Sequence, residues 1–343
     1  MGNPGPYGIA LSVTYRSTIP PSLNRKTRPC RILHPKAPRV GSAQGAGADA
    51  PLTGAYRPRT PVCLSVLRVF RDAGADAPLT GDCRLPCLKV KDEITVKEEK
   101  MQNDLKDKVV VLTGAGGGIG QAIAVKLAEL GMKIVLFGGN NPEKLEITRQ
   151  SVEKFSTALV LPGNLTDLEF LASGIKSVVE KFGGIDTLIN NAGVAQSTPY
   201  IDVTPEEFDR IMAINTRVPF FLTQKALPFL KNSSSATVIN IASVVAHAGY
   251  PLQSVYTASK HALLGLTKSL AKEYYQENIR VHAICPGGVY TDMIRISRPD
   301  LTSEGMIMPD EVAEIVAFFL QHRGNAVIDE IILHRVNKEP FLA

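Results

Sequence analysis

From residue 106 onward, short continuous apolar runs alternate with longer segments whose apolar residues recur at helical spacing. A continuous apolar run is typical of a strand buried on both faces, and a 3.6-residue period indicates an amphipathic helix. The pattern predicts strands at 109–112, 133–137, 158–161, 187–189, 237–241, 280–284 and 331–334. It predicts helices at 119–130, 142–155, 167–182, 205–230, 255–275 and 310–321. This alternation predicts an α/β fold, namely a single Rossmann-like domain over 101–343 with a doubly wound parallel sheet.

The first hundred residues have a different character, because they show no sustained helical or strand period. They hold 12 of the 23 prolines, which remove backbone donors and fix φ. They carry 16 Lys and Arg against 8 Asp and Glu, whereas the rest of the chain carries 22 against 25. The nine residues at 46–54 recur unchanged at 73–81, and neither copy has a hydrophobic face. We predict that 1–100 is a basic, Pro-rich, low-complexity extension that is disordered.

Two other interpretations of this extension stay open: an organelle transit peptide, and a small folded or nucleic-acid-binding module. The net charge of +5 over 343 residues does not indicate nucleic-acid binding, and no apolar run approaches the ~20 residues of a membrane helix. Cys83 and Cys87 have no second ligand pair at metal-site spacing, so no metal site is predicted. Cys285 is the one cysteine after residue 100, which is typical of a reduced, cytoplasmic domain.

A glycine-rich turn follows the first predicted strand and opens the first predicted helix. Residues 113–120 read TGAGGGIG, in which Ile119 stands where the strict G-x-G-x-x-G spacing needs its third glycine. Glycines let the backbone approach a pyrophosphate, and the helix N-terminus supplies N–H groups and positive dipole. The turn therefore predicts a dinucleotide site, with a merely tight structural turn as the alternative.

Three polar residues after the fifth strand form a candidate catalytic set: Ser243, Tyr256 and Lys260. Tyr256 and Lys260 are four residues apart, so they share one helix face. A phenol with a pKa near ~10 is a poor acid or base at neutral pH, and a neighbouring ammonium favours its phenolate. Each residue alone is most simply a routine helix or loop residue, and only their joint spacing after a dinucleotide turn indicates catalysis.

Over essentially all of 101–343 the chain resembles the short-chain dehydrogenase/reductase family. The motifs that carry the resemblance are Thr113-Gly114-x-x-x-Gly118-Ile119-Gly120, Asn190-Asn191-Ala192-Gly193, Asn215, Ser243, Tyr256-x-x-x-Lys260 and residues 286–291, PGGVYT. The resemblance implies that Tyr256 is the general acid/base and that Ser243 positions the carbonyl or alcohol. It also implies that Lys260 lowers the pKa of Tyr256 and holds the nicotinamide ribose, and that Asn215 supports a proton-relaying water.

The same resemblance implies a set of residues that contact the dinucleotide. Asn191 would lie near the adenosine ribose, Asn164 and Leu165 beside the adenine, and Val289 and Thr291 at the carboxamide. The complete expected cofactor set is Gly114, Gly116, Gly118, Ile119, Gly120, Asn140, Asn164, Leu165, Asn191, Tyr256, Lys260, Val289 and Thr291. The family usually has Asp where Asn164 stands, but Asn can still accept and donate hydrogen bonds, so we expect binding to persist.

The residues after the second strand bear on the choice between NAD and NADP. In this family an acidic residue there favours NAD and an Arg often favours NADP, but residues 138–141 read GGNN. Asn140 can hydrogen-bond to either cofactor, and Lys144 follows one turn later. We therefore expect low discrimination, with NADPH favoured.

These observations predict an NAD(P)-dependent oxidoreductase that acts on CH–OH groups of small carbonyl or alcohol substrates. One alternative is a 3-oxoacyl-carrier-protein reductase, although the C-terminal residues 328–335 depart from the pattern of many such enzymes. Another is a non-catalytic dinucleotide-binding scaffold, which would not need the complete Ser243, Tyr256, Lys260 and Asn215 set. The resemblance also implies a homo-oligomer, a dimer or a tetramer. Apolar residues such as Met293, Ile294 and Met306–Met308 favour apolar substrates of modest size, with packing against the last helix as the equal alternative.

Overall fold

The computed structural model describes residues 104–139, 141–297 and 301–339. The predicted disordered extension at 1–100, its repeat and Asn140 lie outside the described residues. None of the helices in the described part of the chain combines the length and the apolar composition that crossing a bilayer requires.

A seven-stranded parallel sheet forms the centre of the fold, with the strand order β3-β2-β1-β4-β5-β6-β7. The strands are β1 (Val109–Thr113), β2 (Lys133–Phe137), β3 (Ala158–Leu161), β4 (Thr187–Asn190), β5 (Thr237–Ile241), β6 (Arg280–Pro286) and β7 (Glu330–Leu333). The chain order reverses direction between β1 and β4, which is the switch point where doubly wound sheets bind ligands. The prediction of a Rossmann-like doubly wound sheet is confirmed.

Helices connect the strands and cover both faces of the sheet. They are α1 (Gly118–Glu129), α2 (Pro142–Val152), α3 (Leu168–Phe182), α4 (Pro205–Met212), α5 (Val218–Leu230), α6 (Ser254–Tyr274), α7 (Asp292–Ser297) and α8 (Pro309–Gln321). Val110 and Leu112 pack into one apolar cluster with α1 and α8, whereas Val109 and Val111 pack into another with α3 and α5. Successive side chains of a strand point to opposite faces of the sheet. Because helices cover both faces, every position of such a strand needs an apolar residue.

Two segments differ from the sequence-based prediction. The helix predicted over 205–230 is interrupted by a π-helical turn at Ala213–Arg217, where the N–H of Val218 donates to the carbonyl oxygen of Ala213. The sequence pattern predicted no element directly after Thr291, where Asp292–Ser297 form the short helix α7. Apolar residues continue on both sides of the π turn, and a one-residue shift in their phase does not by itself predict an interruption.

Candidate active site

The carboxyl ends of β1, β4, β5 and β6 bring the sequence-predicted motifs to one edge of the sheet. The glycine turn follows β1, Asn191 follows β4, Ser243 follows β5, and Pro286 ends β6. In open α/β sheets this edge is where ligands bind. The fold therefore collects at one edge residues that lie more than a hundred positions apart in the chain.

The glycine turn is so closely packed that side chains are excluded at several positions. Gly114 has φ +67°, and a Cβ added to Gly120 would lie 2.1 Å from the carbonyl oxygen of Gly114. A Cβ added to Gly118, which has φ +53°, would lie 2.9 Å from Cγ2 of Thr291. The absence of side chains thus lets α1 begin directly against β1 and places Thr291 beside the turn.

Asn191 supports the glycine turn through its side-chain amide. Its Nδ2 donates to the carbonyl oxygens of Thr113 at 3.0 Å and Gly114 at 3.1 Å. The hydroxyl of Thr113 accepts from the backbone N–H groups of Asn191 and Ala192, both at 3.0 Å. These bonds fasten the end of β1 to the end of β4, a supporting role that the sequence analysis did not assign to Asn191.

The turn after β2 is also built without side chains. Gly138 has φ +75°, and a Cβ there would lie 2.3 Å from Cδ2 of Leu165, which is itself buried. The side-chain oxygen of Asn164 accepts from the N–H and the hydroxyl of Thr166, which shapes the loop after β3. Leu165 and Asn164 therefore lie next to the turn that follows β2, and their expected contact with an adenine stays a prediction.

Ser243 and Tyr256 form the centre of the candidate catalytic cluster. The Ser243 hydroxyl donates to the carbonyl oxygen of Pro286 at 3.3 Å and accepts from the N–H of Val245. Burial raises the pKa of Tyr256, and a side-chain hydrogen bond with Ser243 partly opposes that rise. The phenol is thus held in its neutral form at neutral pH.

Lys260 lies beneath the tyrosine, with Nζ 5.8 Å from the centroid of the Tyr256 ring. Its Nζ donates to the carbonyl oxygen of Ile241 at 2.8 Å. Burial lowers the pKa of Lys260 to about 8. The sequence analysis expected Lys260 to lower the pKa of Tyr256, but among the described residues burial outweighs any such effect. The reason is that the same burial penalises the charge on both groups.

Asn215 lies in the π turn between α4 and α5 and is fully buried. Its Oδ1 accepts from the N–H of Val194, and its Nδ2 donates to the carbonyl oxygen of Val194 and to the hydroxyl of Ser259. Ser259 directly precedes Lys260 in α6. Asn215 therefore ties the loop after β4 to the helix that carries Tyr256 and Lys260. Single π turns of this kind are frequent at functional sites.

Gln196 is a site residue that the sequence analysis missed. Its Oε1 accepts from the N–H of Val255 at 2.8 Å and from the N–H of Tyr256 at 3.2 Å, so it caps the start of α6 from another loop. The side chain is 4% exposed, and its buried Nε2 has no hydrogen-bond partner among the described residues. Because helix and cap lie about 60 residues apart, no local capping pattern could reveal the contact.

Val289 and Thr291 follow β6 at the same edge. Val289 is buried and pairs with Ile307 through a parallel bridge. A cavity of about 460 Å³ lies further along, between the segment after α7 and the segment after β7. Its lining residues are Leu301, Thr302, Glu304, Gly305, Met306, Arg335, Val336 and Asn337. None of the catalytic candidates lines this cavity.

Comparison with known proteins agrees with this geometry. The short chain dehydrogenase family matches residues 108–302. D-beta-hydroxybutyrate dehydrogenase of Rhizobium meliloti (strain 1021) is 36% identical over 207 residues, which cover 60% of this chain and 80% of that protein. A 3alpha-hydroxysteroid dehydrogenase of Mediterraneibacter gnavus is 34% identical over 239 residues, which cover 66% of this chain and 95% of that protein.

A solved structure shows the same fold. The crystal structure of a metagenomic short-chain oxidoreductase in complex with NADP superposes with a TM-score of 0.60 at 30% identity, covering 68% of this chain and 99% of that one. The sequence motifs, the strand order of the sheet and the similar proteins thus all indicate the same family. The chain belongs to the short-chain dehydrogenase/reductase family and is an oxidoreductase that acts on CH–OH groups.

Proposed function

We propose that this chain transfers a hydride between a nicotinamide dinucleotide and a ketone or secondary alcohol, with Tyr256 as the general acid/base. The observation that carries the proposal is the convergence of Ser243, Tyr256 and Lys260 at the sheet edge that also holds the glycine turn. A non-catalytic scaffold would need the turn but would have no use for a buried Tyr–Lys pair.

The glycine turn fits a pyrophosphate. α1 begins after Gly117 without a side-chain cap, and a Cβ added to Gly117 would meet nothing within 4 Å. The first N–H groups of the helix and its positive dipole end therefore favour an anion there. The residues proposed to hold the dinucleotide are Gly114, Gly116, Gly118, Ile119, Gly120, Asn164, Leu165, Asn191, Lys260, Val289 and Thr291.

The side chains of the cluster supply the proton chemistry. A bound nicotinamide would supply the hydride in carbonyl reduction and would receive it in alcohol oxidation. The Tyr256 phenol gives its proton to the substrate oxygen in reduction and takes it back in oxidation. The Ser243 hydroxyl holds that oxygen, and the Lys260 ammonium stabilises the phenolate that forms. Since burial raises the pKa of Tyr256, its neutral form suits carbonyl reduction at neutral pH.

The turn after β2 supports low cofactor discrimination with NADPH favoured. Gly139 presents no carboxylate to repel a 2′-phosphate, and Lys144 lies in the first turn of α2. Lys144 pairs with Asp292 at 3.3 Å, and both side chains are about half exposed. The pair places an ammonium at the start of α2 without the bidentate clamp that an Arg would give, and the Asp292 carboxylate partly offsets its charge.

The residues around Ser243 support an apolar substrate of modest size. Val244 and Val245 directly follow it, and both are apolar and buried. Met306 instead lines the separate cavity that none of the catalytic candidates borders. Ile307 packs into the main core instead of facing a substrate. The relatives support a secondary alcohol or ketone but not the apolar character, since hydroxybutyrate and hydroxysteroids both carry a secondary hydroxyl whereas hydroxybutyrate is also an anion.

The test is a panel of ketones, secondary alcohols, sugars and 3-oxoacyl thioesters, assayed on the full chain with NADH and NADPH. Tyr256→Phe should lower kcat about 10²–10⁴-fold, because it removes the transferable proton and keeps the ring. Dinucleotide affinity should stay nearly unchanged. Tyr275→Phe, at an exposed tyrosine, is the matched control. Near-wild-type turnover by Tyr256→Phe would contradict the assignment, and fastest turnover of sugars would contradict the substrate class.

A further inference from the structure

Three side chains with different metal-binding atoms meet behind the catalytic serine. Cys285 lies on β6 and Glu330 begins β7. The register pairs Cys285 with Ile332 and Ala283 with Glu330, so Cys285 and Glu330 project from the same face of the sheet. His247 reaches them from the short 3₁₀ turn that follows Ser243.

The contacts among these side chains are close. Sγ of Cys285 donates to Oε1 of Glu330 at 3.0 Å, and Nε2 of His247 contacts the same oxygen. The imidazole nitrogen, the sulfur and the carboxylate oxygen all lie within 4.8 Å of one another. A tetrahedral zinc with bonds of about 2.0–2.3 Å needs its ligand atoms roughly 3.3–3.7 Å apart. A small outward rotation of the Glu330 carboxylate therefore makes room for the ion.

We propose that His247, Cys285 and Glu330 form a binding site for a zinc-class divalent cation. Thiolate, imidazole and carboxylate are the ligands that zinc takes in proteins, whereas Mg²⁺ and Ca²⁺ require mainly oxygen ligands. On binding, the Cys285 thiol proton passes to solvent, and sulfur, nitrogen and oxygen each form one bond to the metal. The redox state of every group stays the same.

Access and charge fit such an ion. Cys285 is fully buried, but the side chains of His247 and Glu330 are 29% and 22% exposed. The ion would thus be reached from solvent and keep its fourth position for water. Thiolate and carboxylate together balance its two positive charges. Lys268 interacts with the charge of Glu330 and Lys260 with that of Cys285, so both ammonium groups oppose the cation.

The site borders the proposed catalytic cluster without sharing its residues. Cys285 directly precedes Pro286, whose carbonyl oxygen accepts from the Ser243 hydroxyl. His247 lies four residues after Ser243. A bound ion would therefore fasten the serine loop to β6 and β7, and its binding should raise the melting temperature.

The test uses the full chain with Cys30, Cys63, Cys83 and Cys87, which lie outside the described residues, all changed to Ser. After chelator treatment this protein is titrated with Zn²⁺ by calorimetry and with Co²⁺ by absorbance. We expect one Zn²⁺ per chain, a higher melting temperature and a thiolate-to-cobalt charge-transfer band. Mg²⁺ should cause no shift in melting temperature. Absence of Zn²⁺ binding by this protein would overturn the proposal.

Variants assign the ligands. Loss of an outer-shell partner alone costs about 10–100-fold in metal affinity, so His247→Ala, Glu330→Gln or Cys285→Ser should each weaken Zn²⁺ binding by about 100-fold or more. Cys285→Ser should also abolish the charge-transfer band. His261→Ala, at an exposed histidine of α6, is the matched control and should bind like the parent. If Cys285→Ser fails to fold, His247→Ala provides the test, because His247 is partly exposed to solvent. An unchanged Zn²⁺ affinity of His247→Ala would overturn the proposal.

Discussion

The glycine turn and the candidate catalytic cluster lie at the same edge of the sheet, yet they are built in opposite ways. The turn at 114–120 depends on side chains that are missing, because backbone atoms lie where a Cβ of Gly114 or Gly120 would go and the Thr291 side chain lies where a Cβ of Gly118 would go. The cluster depends on side chains that are present, tied together by hydrogen bonds from Asn215 and Gln196. The first region should therefore be damaged by adding atoms and the second by removing them.

The largest effect is expected at Gly120. In Gly120→Ala the new methyl group meets the carbonyl oxygen of Gly114, which lies 2.1 Å from the ideal Cβ position and belongs to the backbone. Overpacking typically costs about 1–3 kcal/mol, and a clash with backbone should reach about 3 kcal/mol or more. Urea unfolding measures the stability, and fluorescence titration measures the expected loss of dinucleotide affinity.

Gly265→Ala is the matched control for that change. Gly265 lies in α6, is exposed, and has open space around an added Cβ. There the same methyl group should stabilise the protein by about 0.5–1 kcal/mol, because Ala favours a helix interior over Gly. Equal losses at both positions would mean that the close contact in the turn is not responsible.

The next effect concerns the charge buried in the catalytic cluster. The pKa of Lys260 is lowered from 10.5 to about 8 in the folded chain, so between these pH values the unfolded chain binds a proton that the folded chain lacks. The free energy of unfolding should therefore rise with pH across this window. At ~1.36 kcal/mol per pKa unit, the whole rise is about 3 kcal/mol.

Lys260→Met isolates this contribution because it keeps the length of the side chain and removes the titrating group. The stability difference between wild type and Lys260→Met should shift by about 3 kcal/mol in favour of wild type as pH rises through the window. Urea unfolding of both proteins below, within and above the window measures it. A pH-independent difference would show that the lysine is better solvated than its burial implies.

A smaller effect is expected where Gln196 caps α6. Gln196→Ala leaves the N–H groups of Val255 and Tyr256 buried without an acceptor, which costs about 1–3 kcal/mol. The shifted helix start should also lower kcat about tenfold, with dinucleotide affinity unchanged, because Tyr256 is misplaced. Gln196→Glu keeps the acceptor oxygen and should recover most of the kcat. A loss of stability without a loss of kcat would mean that Gln196 stabilises the fold but does not position Tyr256.

The smallest effect is expected at Asp292, whose carboxylate pairs with Lys144 and Arg295. Both cations lower its pKa, Arg295 more than Lys144, so it stays charged at neutral pH. Asp292→Asn should tighten NADPH binding up to about fivefold, because exposed ion pairs are worth at most about 1 kcal/mol. NADH binding should not change. Titrations of both proteins with both cofactors measure this. A hundredfold preference of wild type for NADH would contradict the proposed cofactor choice.

The sequence predicted the glycine turn and the strands because their signals are local. The bounds of β2, β3 and β5 match the apolar runs residue for residue, and Asp167 proves to be the N-cap of α3. The positions of Ser243, Tyr256 and Lys260 followed from spacing and resemblance together. Their roles, the oligomer and the cytoplasmic location stay predictions.

What the sequence could not predict depends on contacts between distant segments. Gln196 reaches α6 from the loop after β4, and nothing in its neighbours distinguishes it from any polar loop residue. The direction of the Tyr256 pKa shift depends on how deeply the fold buries the phenol. The His247, Cys285 and Glu330 cluster comes from three segments, with no spacing that a metal motif would show. In each case the property of the residue depends on its neighbours in the fold and not on its neighbours in the sequence.

The π turn at Ala213–Arg217 makes the fold depend on the exact number of residues between α4 and α5. An α-helix advances about 100° per residue, so the one extra residue of a π turn rotates everything after it by that angle. Because of that offset, α5 can present Leu222, Ala226 and Leu230 to the core while Asn215 points inward at the junction. Deleting any single residue between 213 and 217 would remove the offset and turn the apolar stripe of α5 away from the sheet. In this segment the number of residues matters as much as their chemical character.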